Sequence, residues 1–229
     1  MPLALVTGAT AGLGRALAIA LDAAGYELVL TGRDPQRLDA LRERLPGAAV
    51  LASDVTDSID RAAVIAAVGA RPLDLLVHNA SDLGPSPLLA LEQLEAPVLR
   101  SILEANVVGP AALTSALLPA LRRGSGALVT VSSDAALEHY PTWGGYGASK
   151  AALDHLAGTW AAENPDLRVY AIDPGDMRTA MHQAAFPGED ISDRPLPDEV
   201  GAPGILAVLR AAPPSGRYRA NDYLERSAA

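Results

Sequence analysis

Short apolar runs alternate with longer segments of helical periodicity along most of the chain, and this alternation restricts the fold more than any other feature. Parallel strands need a crossover between them, and a helix is the usual crossover. The pattern therefore predicts an α/β fold, a doubly wound parallel β-sheet of six to seven strands with helices on both faces. The predicted strands are 3–7, 27–31, 49–52, 73–78, 127–131, 168–172 and 216–219.

Segments of helical periodicity separate the predicted strands. They predict helices at about 13–24, 35–45, 57–68, 96–123, 144–164 and 198–211. Asp34 is a suitable N-cap for the second helix and Pro35 suits its first turn, whereas Gly25 ends the first helix. The sequence has no internal repeat and no linker, so we expect one domain over 1–229 with a short substrate-binding lid at about 176–198.

Charge and composition narrow the class of protein. The hydrophobic fraction of 49% in 229 residues supports a sizeable core, and no uninterrupted apolar run approaches the ~18 residues that span a membrane. The net charge of −9 argues against nucleic acid or an anionic membrane as the main partner. Cysteine is absent, and the N-terminus lacks the basic start of a signal peptide. We therefore expect a cytoplasmic protein without thiol chemistry.

Glycines are concentrated in the turn between the first strand and the first helix. Gly8, Gly12 and Gly14 have the spacing Gly-x-x-x-Gly-x-Gly. Such a turn lets the backbone approach a pyrophosphate, which then rests on the helix N-terminus. An ordinary tight turn is the alternative, but the position directly after the first strand favours a dinucleotide site.

A second group of residues combines an acid, a base and a hydroxyl. Tyr146 and Lys150 are four residues apart in the predicted helix 144–164 and share one face of it. An ammonium beside a phenol favours the phenolate, so we expect the pKa of Tyr146 to fall from about 10 towards neutrality. Ser133 follows the strand 127–131 and can bring a hydroxyl to the same point. The alternative is a surface Tyr, a surface Lys and a loop Ser.

The glycine turn, Ser133 and Tyr146-x-x-x-Lys150 together resemble the short-chain dehydrogenase/reductase family over nearly the whole chain. The resemblance implies a Rossmann-type fold, a nicotinamide cofactor and oxidoreductase activity without a metal. It assigns Asn106, Ser133, Tyr146 and Lys150 to the catalytic tetrad. We expect the cofactor to be bound by Gly8, Thr10, Gly12, Leu13, Gly14, Arg33, Asp54, Val55, Asn79, Ala80, Tyr146, Lys150, Pro174, Gly175 and Thr179.

Two positions depart from the family's motifs. Ser81 replaces the glycine that usually ends the stretch after the fourth strand, and we expect it to alter the loop beside the cofactor. Asp173 stands before Pro174, where the family more often has Asn.

Several motif residues also have ordinary structural interpretations. Asn79 can cap the turn after its strand, and Asn106 can be a polar residue on a solvated helix face. Asp54 lies close to Asp57 and can belong to an N-cap cluster, and Thr179 can be part of a loop. The four histidines show no metal-ligand spacing.

The resemblance also implies the mechanism. Tyr146 gives a proton to the carbonyl oxygen or takes one from the alcohol, while Ser133 holds that oxygen. Lys150 lowers the pKa of the tyrosine and binds the nicotinamide ribose. Asn106 is implied to hold a water that links Lys150 to solvent.

The end of the second strand bears on the choice of dinucleotide. An NAD site usually has an acid here that binds the ribose hydroxyls, but this chain has Gly32 followed by Arg33. A guanidinium can pair with a 2′-phosphate, and Arg15 is a second candidate for this contact. Asp34 is better explained as a helix cap. We therefore favour NADP(H), with NAD(H) as the alternative.

The sequence defines the substrate less closely than the cofactor. It should be enclosed by 82–87, 134–143 and 176–198, and the default is a small or medium ketone, aldehyde or secondary alcohol. Two other functions stay open: an NADP(H)-sensing binding protein, which typically lacks the Tyr or Lys, and a sugar-nucleotide epimerase or dehydratase, which is usually longer. Small and apolar residues on several faces of helices 96–123 and 144–164 predict a homodimer or homotetramer.

Overall fold

The computed structural model describes residues 1–228, apart from the side chains of 226–228. Seven parallel strands form one sheet in the order β3-β2-β1-β4-β5-β6-β7. The predicted doubly wound parallel sheet is confirmed. The strands are β1 (Leu3–Val6), β2 (Glu27–Gly32), β3 (Ala49–Ala52), β4 (Leu75–His78), β5 (Ala127–Val131), β6 (Arg168–Asp173) and β7 (Gly216–Arg219).

Helices cover both faces of this sheet. They are α1 (Gly12–Ala23), α2 (Pro35–Arg44), α3 (Ser58–Val68), α4 (Ala96–Leu103), α5 (Gly109–Gly124), α6 (Gly144–Glu163), α7 (Ala180–Ala185), α8 (Gly201–Ala211) and α9 (Ala220–Ala228). Short 3₁₀ turns occur at Leu91–Gln93 and Asp134–Ala136. The predicted cap of α2 is present, because the Asp34 side chain accepts hydrogen bonds from the backbone N–H groups of Gln36 and Arg37.

The two cores follow from the alternation of side chains along buried strands. In β1, Val6 packs in the core beneath α1 and α8, whereas Leu5 packs in the core beneath α3, α5 and α6. Both residues are fully buried. Because the central strands are covered on both faces, they are continuous apolar runs and were recognisable as strands in the sequence.

The long helix predicted at 96–123 is interrupted. A π-helical turn, Glu104–Val108, separates α4 from α5. This turn contains the buried Asn106, whose side chain is bonded to the backbone N–H and C=O of Asp82. A π turn frequently marks a functional site, and here it accommodates a polar side chain with partners outside the helix.

Other differences lie in the last third of the chain. The helix predicted at 198–211 begins later, at Gly201, because the preceding residues form a turn in which the Glu199 carboxylate accepts a hydrogen bond from the N–H of Leu196. The short helix α7 lies inside the predicted lid and was not anticipated. Neither was α9, which follows β7 and packs on α8.

Candidate active site

A cavity of about 560 Å³ opens at the carboxyl ends of the strands. The chain turns to opposite sides of the sheet between β1 and β4, which is where open α/β sheets bind ligands. The cavity is lined from the glycine turn at one end to Tyr146 at the other. Its walls include the predicted residues Gly8, Thr10, Gly12, Leu13, Arg33, Asp54, Val55, Asn79, Ala80, Ser133, Tyr146, Lys150, Pro174, Gly175 and Thr179.

The glycine turn has the shape that a pyrophosphate needs. Gly8 and Gly12 have φ values of 65° and 50°, in the left-handed region that favours glycine. A Cβ on Gly14 would collide with the Gly8 carbonyl, so the helix could not approach the strand this closely. The α1 N-terminus has no side-chain cap and no acidic residue in its first turn, so its N–H groups are available to an anion. The turn therefore fits a dinucleotide phosphate.

Asn79 fixes this turn to the end of β4. Its side-chain amide donates to the carbonyl oxygens of Thr7 and Gly8, both at 3.0 Å. The Thr7 hydroxyl in turn accepts from the backbone N–H groups of Asn79 and Ala80, both at 3.1 Å. Asn79 thus supports the glycine turn, in agreement with its structural interpretation, and its contact with the cofactor stays a prediction.

The far end of the cavity presents groups that suit an adenosine. Asp54 accepts two hydrogen bonds from Thr56 and lies 3.5 Å from the Arg33 guanidinium. Burial raises the pKa of Asp54, but the Thr56 bonds and Arg33 outweigh it and the pKa is lowered. The hydroxyls of Thr31 and Ser53 are buried without a hydrogen-bond partner among the described residues. These donors fit a ribose or adenine in the cavity.

Two guanidinium groups stand beside the end of β2. Arg33 is predominantly exposed, with 75% of its side chain accessible. Arg37, one turn into α2, also lines the cavity and pairs with Asp34 at 3.2 Å. Among the described residues Arg15 is not part of the cavity wall, so Arg37 replaces it as the second candidate. A Cβ on Gly32 would collide with the Thr10 side chain, so the usual acid cannot be accommodated here without displacing Thr10.

Tyr146 is buried at the other end of the cavity, 8% exposed, with the hydroxyls of Ser133 and Ser81 beside its own. Burial raises its pKa well above the ordinary value; the two serine hydroxyls oppose the rise, and the carboxylates of Asp134 and Asp173 add to it. The expected lowering of this pKa is therefore wrong for the arrangement described. The physical reason is that desolvation of the phenolate exceeds the effect of nearby donors.

Lys150 is buried behind Tyr146 on the same helical face. Its Nζ is 5.5 Å from the centre of the Tyr146 ring and donates to the Val131 carbonyl oxygen at 2.8 Å. Burial lowers its pKa to about 8, while the Asp154 carboxylate acts in the opposite direction. The predicted proximity of the two side chains is confirmed.

Asn106 lies next to this pair, and its side chain is fully engaged. Its Oδ1 accepts from Ser81 Oγ at 3.1 Å and from Asp82 N at 2.7 Å. Its Nδ2 donates to Asp82 O at 2.7 Å and to Ser149 Oγ at 2.8 Å. These four bonds use the whole capacity of the amide, so the Asn106 side chain has no position left for the implied water.

The segment after β6 lies opposite the glycine turn. Gly175 has a φ of 75°, and the Thr179 hydroxyl caps α7 by accepting from the N–H of His182 at 3.1 Å. The Thr179 methyl group would lie 3.4 Å from a Cβ on Gly12. Thr179 thus combines a capping role with a position in the cavity wall across from the glycines.

Arg217 connects the carboxyl ends of β5 and β6 to the middle of α6 behind the site. Its guanidinium donates to the Ser133 carbonyl oxygen at 2.8 Å and pairs with Asp154 at 3.0 Å and with Asp173 at 3.5 Å. Burial raises the pKa of Asp173, and the Gly175 N–H and Arg217 oppose this rise. Asp173, the departure noted in the sequence, therefore forms an ion pair that fixes the end of β6.

The predicted substrate-binding segments meet at the open end of the cavity. Trp143 stacks edge-on against Tyr146 at 5.8 Å and packs on Phe186 at 5.9 Å. Asp82, Leu83, Asp134, Asp176, Met177, Met181, His182 and Ala185 complete this wall. The lid is joined to the loop after β4 by a hydrogen bond from Ser86 Oγ to the Ala184 carbonyl at 2.7 Å. No group of three or more potential metal ligands occurs among the described residues.

Sequence reasoning did not assign a role to three residues of this site. Arg37 could have been found because it lies in the first turn of the predicted helix 35–45, four residues after Arg33. Arg217 ends up beside Ser133 because parallel strands share their carboxyl edge, but its partner could not be specified. Ser81 was noticed only as a departure from a motif.

Comparison with known proteins agrees with this arrangement. The family model described as short chain dehydrogenase matches residues 2–190. Sulfoacetaldehyde reductase of Chromohalobacter salexigens is 41% identical, and serine 3-dehydrogenase of Agrobacterium fabrum is 35% identical, each over 76% of this chain and 72% of its own length. An alcohol dehydrogenase from Thermococcus sibiricus, solved in complex with 5-hydroxy-NADP, has a TM-score of 0.83 at 29% identity, covering 96% of this chain and 95% of its own. The chain therefore belongs to the short-chain dehydrogenase/reductase family of oxidoreductases.

Proposed function

We propose that the protein is an NADP(H)-dependent oxidoreductase that interconverts a small carbonyl compound and its alcohol, with Tyr146 as general acid and base. One observation carries this proposal: Tyr146, Ser133 and Lys150 line the same cavity as the glycine turn. A dinucleotide bound at that turn would reach along the cavity to Ser133 and Tyr146. The nicotinamide supplies or accepts the hydride.

The chain itself supplies the proton and the polar contacts. Ser133 donates a hydrogen bond to the substrate oxygen, and Tyr146 transfers its proton to that oxygen as negative charge develops there. Ser133 Oγ now donates to Asp134 Oδ1 at 3.0 Å, so its hydroxyl must rotate towards the substrate. Trp143, backed by Phe186, places an apolar ring beside Tyr146 at this end of the cavity.

Lys150 holds positive charge next to the phenol. It is 2% exposed, so its field acts through a medium that screens poorly. This charge favours the phenolate that Tyr146 becomes after proton transfer, and the same ammonium is positioned to bind a ribose hydroxyl. Asn106 acts through the loop that it holds, because its side chain is fully bonded to Ser81, Asp82 and Ser149.

The preference for NADP(H) rests on charge at the end of β2. Arg33 and Arg37 offer two guanidinium groups to a 2′-phosphate, and Gly32 stands where an acid would bind the ribose of NAD(H). Asp34 does not compete as a ribose acid, because it caps α2. The Thermococcus alcohol dehydrogenase was solved with an NADP derivative, in agreement with this choice.

The substrate is proposed by class only. The relatives named above act on sulfoacetaldehyde and on serine, according to their names. A small or medium ketone, aldehyde or secondary alcohol fits the proposed chemistry, and the polar groups of Asp82, Asp134 and His182 favour a substrate with hydrogen-bonding groups of its own.

A screen of aldehydes, ketones and secondary alcohols, followed by NADPH absorbance, tests the proposal. We expect turnover with at least one carbonyl class and a higher kcat/KM with NADPH than with NADH. Tight NADPH binding with no turnover of any compound would instead identify a sensor on the same fold. The site argues against that outcome, because both Tyr146 and Lys150 are present.

We further propose that the protein is a homodimer or homotetramer. The stretch Ala96–Gly124 is long and apolar enough to cross a membrane by length and composition, yet only 39% of its most apolar window is buried within the chain. The buried residues of α5, such as Leu113 and Leu117, pack against the sheet. A second subunit would cover much of the remaining surface of α5 and α6. Light scattering should give about twice or four times 23.6 kDa, and a mass of 23.6 kDa would contradict the interface.

A further inference from the structure

Ser81 occupies an unusual place in the site. It is the third residue after β4, in a half-buried position on the cavity wall. Its Oγ donates to Asn106 Oδ1 at 3.1 Å, and Ser81 lines the same cavity as Tyr146, whose pKa its hydroxyl acts to lower. Ser81 therefore links a fixed amide to the site of the proposed acid.

The Asn106 amide cannot rotate to suit Ser81. Its Nδ2 hydrogens are committed to Asp82 O and Ser149 Oγ, and Ser149 Oγ in turn donates to the Tyr146 carbonyl oxygen at 2.6 Å. Asn106 Oδ1 is thus always an acceptor towards Ser81. While the Ser81 proton points to Asn106, the lone pairs of its oxygen are available to accept a hydrogen bond.

We propose that Ser81 is a positioning residue for proton transfer by Tyr146. When Tyr146 is neutral, its O–H donates to Ser81 Oγ, and Ser81 donates to Asn106. When Tyr146 has given its proton to the substrate oxygen, the Ser81 O–H rotates and donates to the phenolate. In this step the Tyr146 O–H bond breaks and a new O–H bond forms on the product, while the Ser81 O–H bond stays intact. The proposal rests on the proposed function of Tyr146.

The surroundings of Tyr146 explain why a second donor matters. Asp134, on the 3₁₀ turn after β5, and Asp173, at the end of β6, both oppose a phenolate, as does burial. Lys150 lies on the same helix, with its Nζ 5.5 Å from the ring centre. Ser133, the other hydroxyl nearby, is needed at the substrate oxygen. Ser81 is then the hydroxyl that can serve the phenolate throughout the reaction.

The test compares Ser81→Ala, which removes the hydroxyl, with Ser81→Thr, which keeps it. The first readout is kcat/KM for alcohol oxidation at fixed pH, because this direction uses the phenolate and its rate follows the ionised fraction of Tyr146. The second is the NMR chemical shift of the Tyr146 Cζ at neutral pH in protein carrying isotope-labelled tyrosine, which responds to hydrogen bonds at the phenol, the signal being assigned from Tyr146→Phe. We expect Ser81→Ala to lower kcat/KM for oxidation by about ten- to a hundredfold and to move the Cζ signal, because a hydrogen bond to a charged group is lost. Ser81→Thr should stay close to wild type in both readouts.

Two results would overturn the inference: an unchanged kcat/KM for oxidation in Ser81→Ala, or equal losses in Ser81→Ala and Ser81→Thr, which would mean that the hydroxyl does not matter. Binding of NADPH should be retained in both variants, because Asn106 keeps its bonds to Asp82 and Ser149. If wild-type protein turned over no alcohol or carbonyl, the proposed function would fail, whereas the Tyr146 Cζ signal would still show whether Ser81 bonds to the phenol.

Discussion

Lys150 donates a hydrogen bond to the carbonyl oxygen of Val131 over 2.8 Å, at the point where β5 leaves the sheet. Its ammonium is thereby held behind Tyr146 and out of water, with 2% of the residue exposed. One hydrogen bond replaces only part of the lost hydration, so the pKa of Lys150 falls to about 8. The charge that assists Tyr146 is therefore maintained at a cost in stability.

The basic residues of the chain are distributed unusually, with a lysine at position 150 alone. Lys150 is the only lysine among the 18 basic residues Lys and Arg, and all the others are arginine. A guanidinium cannot lose its proton in a protein and is larger than an ammonium. We therefore expect that arginine at position 150 would not replace lysine as the group that assists Tyr146.

We predict that Lys150→Met stabilises the protein while it abolishes activity. At neutral pH the substitution removes a buried charge, so the free energy of unfolding should rise by about 1–3 kcal/mol. Because the pKa of this lysine is about 8 in the folded chain and its ordinary value is 10.5, the unfolded chain binds the extra proton between these values. The free energy of unfolding of wild type therefore rises between about pH 8 and 10.5, and the difference from Lys150→Met becomes smaller.

Urea denaturation at several pH values measures this difference. Lys150→Arg serves as the control, since it keeps a charge at the same position and should not be stabilised. A variant Lys150→Met that is less stable than wild type at neutral pH would contradict the prediction, because the hydrogen bond to Val131 would then be worth more than the cost of the buried charge.

We predict that Tyr146→Phe lowers kcat by at least ~100-fold, the usual contribution of a general acid. The phenol hydroxyl lies at the reacting end of the cavity, so the Kd for NADPH should change little. Steady-state kinetics and fluorescence titration measure the two quantities. Tyr26→Phe, which removes a hydroxyl away from the cavity, is the matched control, and a Tyr146→Phe variant with more than about a tenth of wild-type kcat would exclude Tyr146 as the acid.

The fold could be predicted because its signals are local. Buried strands such as β1 and β5 are continuous apolar runs, and Gly8 and Gly12 were recognisable because their backbone conformation excludes most other residues. The placement of Tyr146 and Lys150 followed from helical geometry alone. Each of these features depends on residues that are near one another in the chain.

The features that the sequence did not predict depend on contacts between residues that are distant in the chain. Asn106 interrupts the long helix, and its partners are 24 and 43 residues away. Arg217 reaches the Ser133 carbonyl across 84 residues. The predicted lowering of the Tyr146 pKa was wrong for the same reason. The prediction took the charge of Lys150 into account, but not the burial of the phenol by the rest of the fold.

We predict that Arg33 and Arg37 discriminate between the two dinucleotides. Arg33→Ala should weaken NADPH binding by roughly tenfold or more, since a charge-assisted pair contributes about 1.5–3 kcal/mol. Arg37→Ala should have a smaller effect, because Arg37 also pairs with Asp34 at 3.2 Å. Binding of NADH should hardly change in either variant.

Calorimetric titration with NADPH and NADH provides the comparison, and it should be repeated at high salt, where the NADPH affinity of wild type should fall towards that of Arg33→Ala. Arg44→Ala removes the same charge from the exposed end of α2 and should behave as wild type. Equal losses for both cofactors in Arg33→Ala would show that this residue does not recognise the 2′-phosphate.

His78, the last residue of β4, is a second buried titratable group with a consequence for stability. It is 2% exposed, and its Nε2 shares a hydrogen bond with the Thr114 hydroxyl at 2.7 Å. Burial lowers its pKa to about 3. The imidazole is therefore neutral inside the fold over the whole range in which an unfolded histidine, with a pKa of 6.5, takes up a proton.

We predict that His78 makes the protein sensitive to acid. Between pH 6.5 and about 3 the unfolded chain binds a proton that the folded chain does not, so the free energy of unfolding falls as pH decreases, by up to roughly 1.4 kcal/mol per pH unit. His78→Asn, which keeps a polar side chain near Thr114 but cannot be protonated, should remove this part of the slope. Thermal unfolding across the acidic range measures it, with the exposed His139→Asn as control. Identical slopes for wild type and His78→Asn would mean that the imidazole is protonated in the fold, and that burial at the end of β4 does not keep it neutral.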